Sequence, residues 1–284
     1  GFVSTSTNGL AGNVTLRASQ GVTNGNLALG AAAVVTANSG GAGAGATVNI
    51  LNNSTGTLAV NSIITANGSA AGAQGGTIVI RNNGNGAVAG ATTIAANVTA
   101  TGNAANGGSI TLESTGANAG AVTVSSGTVS ANAVGASGNG GAVTIRGLTF
   151  TGSGGAQTFS ANGATTGTGN GGTVSLATTG ATADITFAAG GFALAATGGA
   201  TAGNGGTVSA TAGRSLTVNA TSLTAGALAG NGNGGTINLT GSNTVATGTL
   251  TISAALSANG SLVGNGGTIN VINNSNAARM LNTA

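Results

Sequence analysis

Glu113 and Asp184 are the only carboxylate side chains in a chain of 284 residues. The basic side chains are five arginines, Arg17, Arg81, Arg146, Arg214 and Arg279, and the chain has no His, Cys, Lys, Tyr or Trp. Polysaccharide cleavage needs two carboxylates facing one bond, or a carboxylate-bound cation with a base beside it. Glu113 and Asp184 fall in different repeats at different strand positions, so they are not expected to pair. Without His or Cys there is no serine or thiol triad and no ordinary zinc site. "GNGNGG" (230–235) has the glycines of a phosphate loop but no following Gly-Lys-Ser/Thr and no strand–glycine–helix context. The expectation is a non-enzymatic protein with no catalytic residue, no metal and no cofactor.

The polar chemistry that remains is amide and hydroxyl, and it recurs. "GNGGTVSL" (169–176) returns as "GNGGTVSA" (203–210), "GNGGTINL" (232–239) and "GNGGTIN" (264–270). Aligned on this string, repeats start at 11, 45, 75, 107, 140, 171, 205, 234 and 266 and cover one domain, 1–284, with 1–10 and 272–284 as open end strands. The amide before the paired glycines is Gln74, Asn106, Asn139, Asn170, Asn204, Asn233 and Asn265. If repeats stack, these residues form a structural ladder, each side chain bonding the ones above and below. A second, broken ladder is expected through Asn67, Asn132, Asn162 and Asn259. Arg81, Glu113 and Arg146 share one repeat position in three successive copies, so they are expected to staple neighbouring coils electrostatically.

Such ladders need elements that repeat in register. Inside each copy the apolar period is two: Val174 and Leu176 alternate with Thr173 and Ser175, and Ile237 and Leu239 with Thr236 and Asn238. Two further short strands follow in most copies, one like "LTVNA" (216–220) or "DITFA" (184–188), the next like "TFSANG" (158–163) or "IITANG" (63–68). No sustained helical periodicity appears, and Thr, Val, Asn and Gly are poor helix formers. One repeat cannot bury its own apolar side, so successive copies must stack. The expected fold is all-β: a single-stack parallel β-helix (β-solenoid) of about nine coils of ~32 residues, three strands per coil. It is expected to be right-handed, as parallel crossovers are. The glycine pairs would sit at the corner entering the first face, through positive φ or close backbone approach.

Only 2% of residues are charged while 40% are hydrophobic, against about 25% charged in an average domain. The net charge of +3 comes from scattered Arg, so nucleic-acid binding is not expected. No apolar run approaches the ~18 residues of a membrane span, and no transmembrane segment is expected. A surface with little charge does not repel its own copies.

The consensus "GNGGTVxL…LTVs…LSANGa", over residues 11–271, resembles the repeat region of filamentous-haemagglutinin-type secreted bacterial adhesins. That resemblance implies a long right-handed β-helix exported to the bacterial cell surface, and host or neighbouring cell surfaces as possible partners. The family's export domain with its "NPNG"-type motif has no counterpart here, and no receptor-binding residue carries over. "GFVSTSTNG" (1–9) reads as a third-face strand and "RMLNT" (279–283) as a second-face strand. Phe2, Val3, Met280 and Leu281 are therefore expected at open ends that join copies head to tail, a contact that does not close. The leading expectation is a secreted structural solenoid assembling into a fibre, sheath or biofilm matrix. The alternatives are the shaft of an adhesin and, from the column Thr47, Thr77, Ser109, Thr173, Thr207, Thr236 and Thr268, an ice-binding solenoid.

Overall fold

The computed structural model describes all residues except 8, 19–24, 55, 85–89, 117, 189–190, 220–221, 242–247, 275–279 and 284. The described residues build an all-β parallel solenoid. Three nine-stranded sheets run its length, each made of one strand per coil. The first face runs from Val14–Ala18 to Thr268–Asn273, the second from Leu27–Leu29 to Met280–Thr283, and the third from Phe2–Val3 to Ala255–Ser257. Nine strands on a face bound eight complete turns. Nine strand layers at ~4.8 Å each make the stack roughly 43 Å long.

Every neighbouring pair in these sheets is parallel, and the first-face register advances without a slip. Val14 lies beside Val48, Val48 beside Ile78, and the column continues through Ile110, Val143, Val174, Val208, Ile237 and Ile269. The alternation read from the sequence is the alternation in space. In Thr47–Asn52, residues 48, 50 and 52 are buried and their neighbours half-buried. Sliding a strand by one residue would turn that apolar set outward, which pins the register. One irregularity falls on the second face, where Ala119–Val124 shifts against Gly90–Ile94 between Ala119 and Val122. A short extra sheet, Gly102–Asn103 beside Ala133–Val134, was not anticipated from the sequence.

The core is a narrow apolar column, widened where four of the five phenylalanines meet. Phe150, Phe159, Phe187 and Phe192 are buried, with Phe159 and Phe192 edge to face at 4.9 Å between centroids. Such contacts contribute about 0.5–1.5 kcal/mol beyond the area they bury. Gly152 makes room for them, because a Cβ there would lie 2.3 Å from the Phe192 ring. At the corner between the first and second faces the buried column turns polar through Asn52, Asn82 and Ser114. The Asn52 amide donates to the carbonyls of Gly56 (3.2 Å) and Thr57 (3.1 Å), and the Asn82 amide to those of Gly56 (3.1 Å) and Ala91 (3.0 Å). These side chains satisfy carbonyls that leave the sheet ladder inside the solenoid.

The paired glycines sit at the corner into the first face, and the reason is proximity rather than φ. None of the glycines of the 107–108, 140–141, 171–172, 205–206 and 234–235 pairs has a positive φ. A Cβ on Gly140 would lie 1.9 Å from the Ala161 carbonyl oxygen, and one on Gly141 1.9 Å from that of Gly108. The second glycine closes each coil: Gly141 N–H donates to Ala131 C=O (2.7 Å) and Gly172 N–H to Ala161 C=O (2.6 Å). No helix among the described residues is long and apolar enough to cross a membrane.

Candidate functional site

Each Asn before a glycine pair stands where the chain is about to enter the first sheet, so its backbone N–H has no strand partner. The structure satisfies that donor from the preceding coil. The Oδ1 of Asn106 accepts from the N–H of Asn139 (2.9 Å), Asn139 Oδ1 from Asn170 (2.7 Å), Asn170 Oδ1 from Asn204 (2.9 Å), Asn204 Oδ1 from Asn233 (2.8 Å) and Asn233 Oδ1 from Asn265 (2.8 Å). In return, the N–H of the glycine after each lower Asn donates to the C=O of the Asn above, as Gly140 does to Asn170 at 2.8 Å. Each rung is thus a two-bond clasp between coils.

This corrects the expected bonding, which was side chain to side chain. The orphaned N–H competes better for Oδ1 than a neighbouring amide does, as short polar side chains next to free backbone donors generally show. True side-chain stacking occurs on the first face instead, where Asn270 Nδ2 donates to Asn238 Oδ1 (2.7 Å). Gln74 keeps only half of the clasp: Gly75 N–H donates to Asn106 C=O (3.0 Å), but the Gln74 N–H goes to Gly43 C=O (2.7 Å) and no bond links its side chain to Asn106. The second ladder runs in two pieces by the same clasp. Asn38 Oδ1 accepts from Asn67 N–H and Asn67 Oδ1 from Thr101 N–H, both at 2.8 Å. Asn132 Oδ1 accepts from Asn162 N–H (2.7 Å) and Asn162 Oδ1 from Thr197 N–H (2.9 Å). Asn259 accepts through its backbone, from Ala227 N–H at 2.8 Å.

Arg81, Glu113 and Arg146 are in register on successive first-face strands. The ion pair is formed by Arg81 Nε and Glu113 Oε1; Arg146 is exposed and forms no ion pair. The expected three-member staple is therefore a pair, since the Glu113 side chain turns to one neighbour only. A second pair was missed. Arg214 donates through Nε to Asp184 Oδ1 (2.8 Å) and through Nη2 to Oδ2, while Ser215 N–H donates to Oδ1 (2.9 Å). The Arg214 hydrogen bonds hold the Asp184 carboxyl below its ordinary range, partly opposed by burial, and the bonds to Asp184 raise the Arg214 guanidinium. Their 30-residue separation, one coil, was the available signal. Among the described residues no three His, Cys, Asp or Glu side chains gather.

The open ends carry the remaining predicted residues. Phe2 and Val3 form the outermost third-face strand, beside Val35 and Thr36, and are exposed (46% and 66%). Met280 and Leu281 lie in the last second-face strand, in register with Thr249 and Leu250; their side chains are outside the described set. In the last first-face strand Ile269 continues the inward column yet is 44% exposed, because no coil lies over it. Asn265, the last rung, has no bond on its Oδ1.

The hydroxyl column on the first face is interrupted by Ala142, which lies between Ser109 and Thr173. A longer unbroken one lies on the second face: Thr93, Thr123, Thr151, Thr186, Thr217 and Thr251. Its neighbouring outward column is mixed.

No protein-family model, no curated protein and no solved structure matches this chain.

Proposed function

We propose that this chain is a structural, non-enzymatic β-solenoid that assembles end to end with copies of itself into a fibre, sheath or matrix at the surface of a bacterial cell. The observation that carries the reading is the character of the two ends. The strands at the high-numbered end, Ala255–Ser257, Thr268–Asn273 and Met280–Thr283, contain no charge and no proline, the usual guards of an edge strand. The apolar column there is uncovered at Ile269, and Phe2 and Val3 are uncovered at the other end. A copy stacked in the repeat's own register would lay Val14 over Ile269 and Phe2 over Leu256. That junction would have the chemistry of any internal coil boundary. The near absence of charge elsewhere leaves little to oppose association.

Ile269→Lys and Val3→Lys test this. Both positions are exposed in the single chain, so both variants should fold with unchanged circular dichroism. In sedimentation velocity the parent chain should form concentration-dependent species larger than one chain, and each variant should stay single. A parent chain that stays single at all concentrations, or variants that associate as the parent does, would overturn the reading.

The repeat grammar supports a second reading: the shaft of a filamentous-haemagglutinin-type adhesin whose recognition parts lie elsewhere. The specific observation is the unbroken register over all nine first-face strands, with no inserted domain between coils. A natural precursor many times longer than 284 residues favours the shaft, and one of similar length favours the subunit.

A further inference from the structure

The ladder Asn residues are each followed by glycine. Asn-Gly is the dipeptide most open to spontaneous deamidation, because a residue without Cβ leaves its backbone nitrogen free to attack the preceding side chain. In the stacked coils that chemistry is locked. For Asn106, Asn139, Asn170, Asn204 and Asn233, Oδ1 accepts from the Asn N–H one coil on. The attacking group, the following Gly N–H, donates to that same residue's C=O at 2.8–2.9 Å. Side-chain carbon and nucleophile are thus held by the coil above, each in its own bond. Within residues 1–284 no coil lies over the rung of Asn265. Asn265 still donates its N–H to Asn233 Oδ1 (2.8 Å), but its own Oδ1 and the Gly266 N–H have no partner. Both residues are exposed, and a Cβ on Gly266 would meet nothing within 4 Å, whereas on Gly234 it would lie 1.9 Å from backbone.

We infer that stacking of a coil over a rung is what protects each ladder asparagine, and that Asn265, uncovered in the 284-residue chain, is a deamidation site there. The step needs only water. The Gly266 nitrogen loses its proton to solvent base and bonds to Asn265 Cγ; the side-chain nitrogen leaves as ammonia, giving a succinimide. Water opens the ring at either carbonyl, leaving aspartate or isoaspartate, for a net exchange of NH2 for OH with no oxidant or reductant. The product places a carboxylate beside end strands that themselves contain no charged residue, and charge is the device by which proteins discourage edge-to-edge pairing. That consequence rests on the end-to-end assembly proposed above; the chemistry at Asn265 does not.

Peptide mapping by mass spectrometry tests the inference on the full chain, aged in mildly alkaline buffer at a dilution where it stays single, with a urea-unfolded sample alongside. Asn231, exposed in a turn and also followed by glycine, is a partly held comparison site: its side chain and the Gly232 N–H are unbonded, but Gly232 is buried and its C=O accepts from Ser261 N–H (3.0 Å). Asn265 should convert at a rate near its own rate in urea and no slower than Asn231. Asn139, Asn170 and Asn204 should be slowed by about tenfold or more relative to urea, since two hydrogen bonds must open first. Gly266→Ala, which has room for its methyl, should slow Asn265 and leave Asn231 unchanged. Equal native rates at Asn265 and Asn170, or an Asn265 as protected as the inner rungs, would overturn the proposal.

Discussion

Gly140→Ala isolates what the glycine pairs do. The residue has an ordinary φ, so alanine carries no conformational penalty of the left-handed kind. Its methyl would lie 1.9 Å from Ala161 O, 2.5 Å from Ala161 C and 2.6 Å from Gly172 N, all of them backbone, so no side chain can swing aside. The two coils must move apart at that corner. Overpacking of this kind costs about 1–3 kcal/mol. The shift also strains the Gly172 N–H bond to Ala161 C=O (2.6 Å) and the Gly140 N–H bond to Asn170 C=O (2.8 Å), each contributing about 1 kcal/mol. The sum is a loss of roughly 3–5 kcal/mol. Gly155→Ala is the matched control, because a Cβ there meets nothing within 4 Å and φ is again ordinary; its effect should stay within about 0.5 kcal/mol. Urea unfolding followed by far-UV circular dichroism measures both. Equal midpoints for the two variants would refute the claim that close approach dictates the glycine pair. A solenoid can unfold coil by coil, so the two curves should be compared at matched slope.

Other consequences follow from single contacts. Asn170→Ala leaves the Asn204 N–H without its acceptor at an exposed corner, so stability should fall by about 0.5–1.5 kcal/mol in the same urea assay. The Asp184 carboxyl has a folded pKa below its unfolded one, so its pairing stabilises above the ordinary carboxylate range and is lost as pH falls through the lowered value. Asp184→Asn should flatten that part of the acid-unfolding curve, by no more than about 1 kcal/mol for so exposed a pair; an unchanged acid limb would sink this. Gly152→Ala intrudes on the Phe192 ring, and thermal melting should show a loss of about 1–3 kcal/mol. Neither Thr-rich face has two uniform hydroxyl columns side by side, so a thermal-hysteresis assay should show no ice-binding activity.

Much of the fold was legible because its information is local and repeated. Period-two alternation in Thr173–Thr178 and its copies identifies a half-buried strand, and equal repeat lengths require each strand to stack on its own kind. Third-face assignment of Phe2–Val3 and second-face assignment of Met280–Thr283 came from the same phase argument. What escaped depends on directions that spacing does not carry. The amide residues share a repeat position, but whether Oδ1 meets an amide or a backbone N–H depends on which donor the corner orphans. Arg146 has the same repeat position as Arg81, yet Glu113 has one side chain and turns toward one of them. Asp184 and Arg214 were not paired in advance because Arg214 precedes the second-face strand by one residue more than Asp184 does. For the glycine pairs the repeat leaves positive φ and close backbone approach both open, and the distance to the Ala161 carbonyl decides for approach.

The proposed assembly requires that these ends recognise copies of this chain. Electron microscopy of the purified 284-residue chain across a dilution series tests it most directly. Fibres one solenoid wide, growing longer with concentration and lost on Ile269→Lys, are the predicted result. Monodisperse rods of roughly 43 Å at every concentration would contradict it.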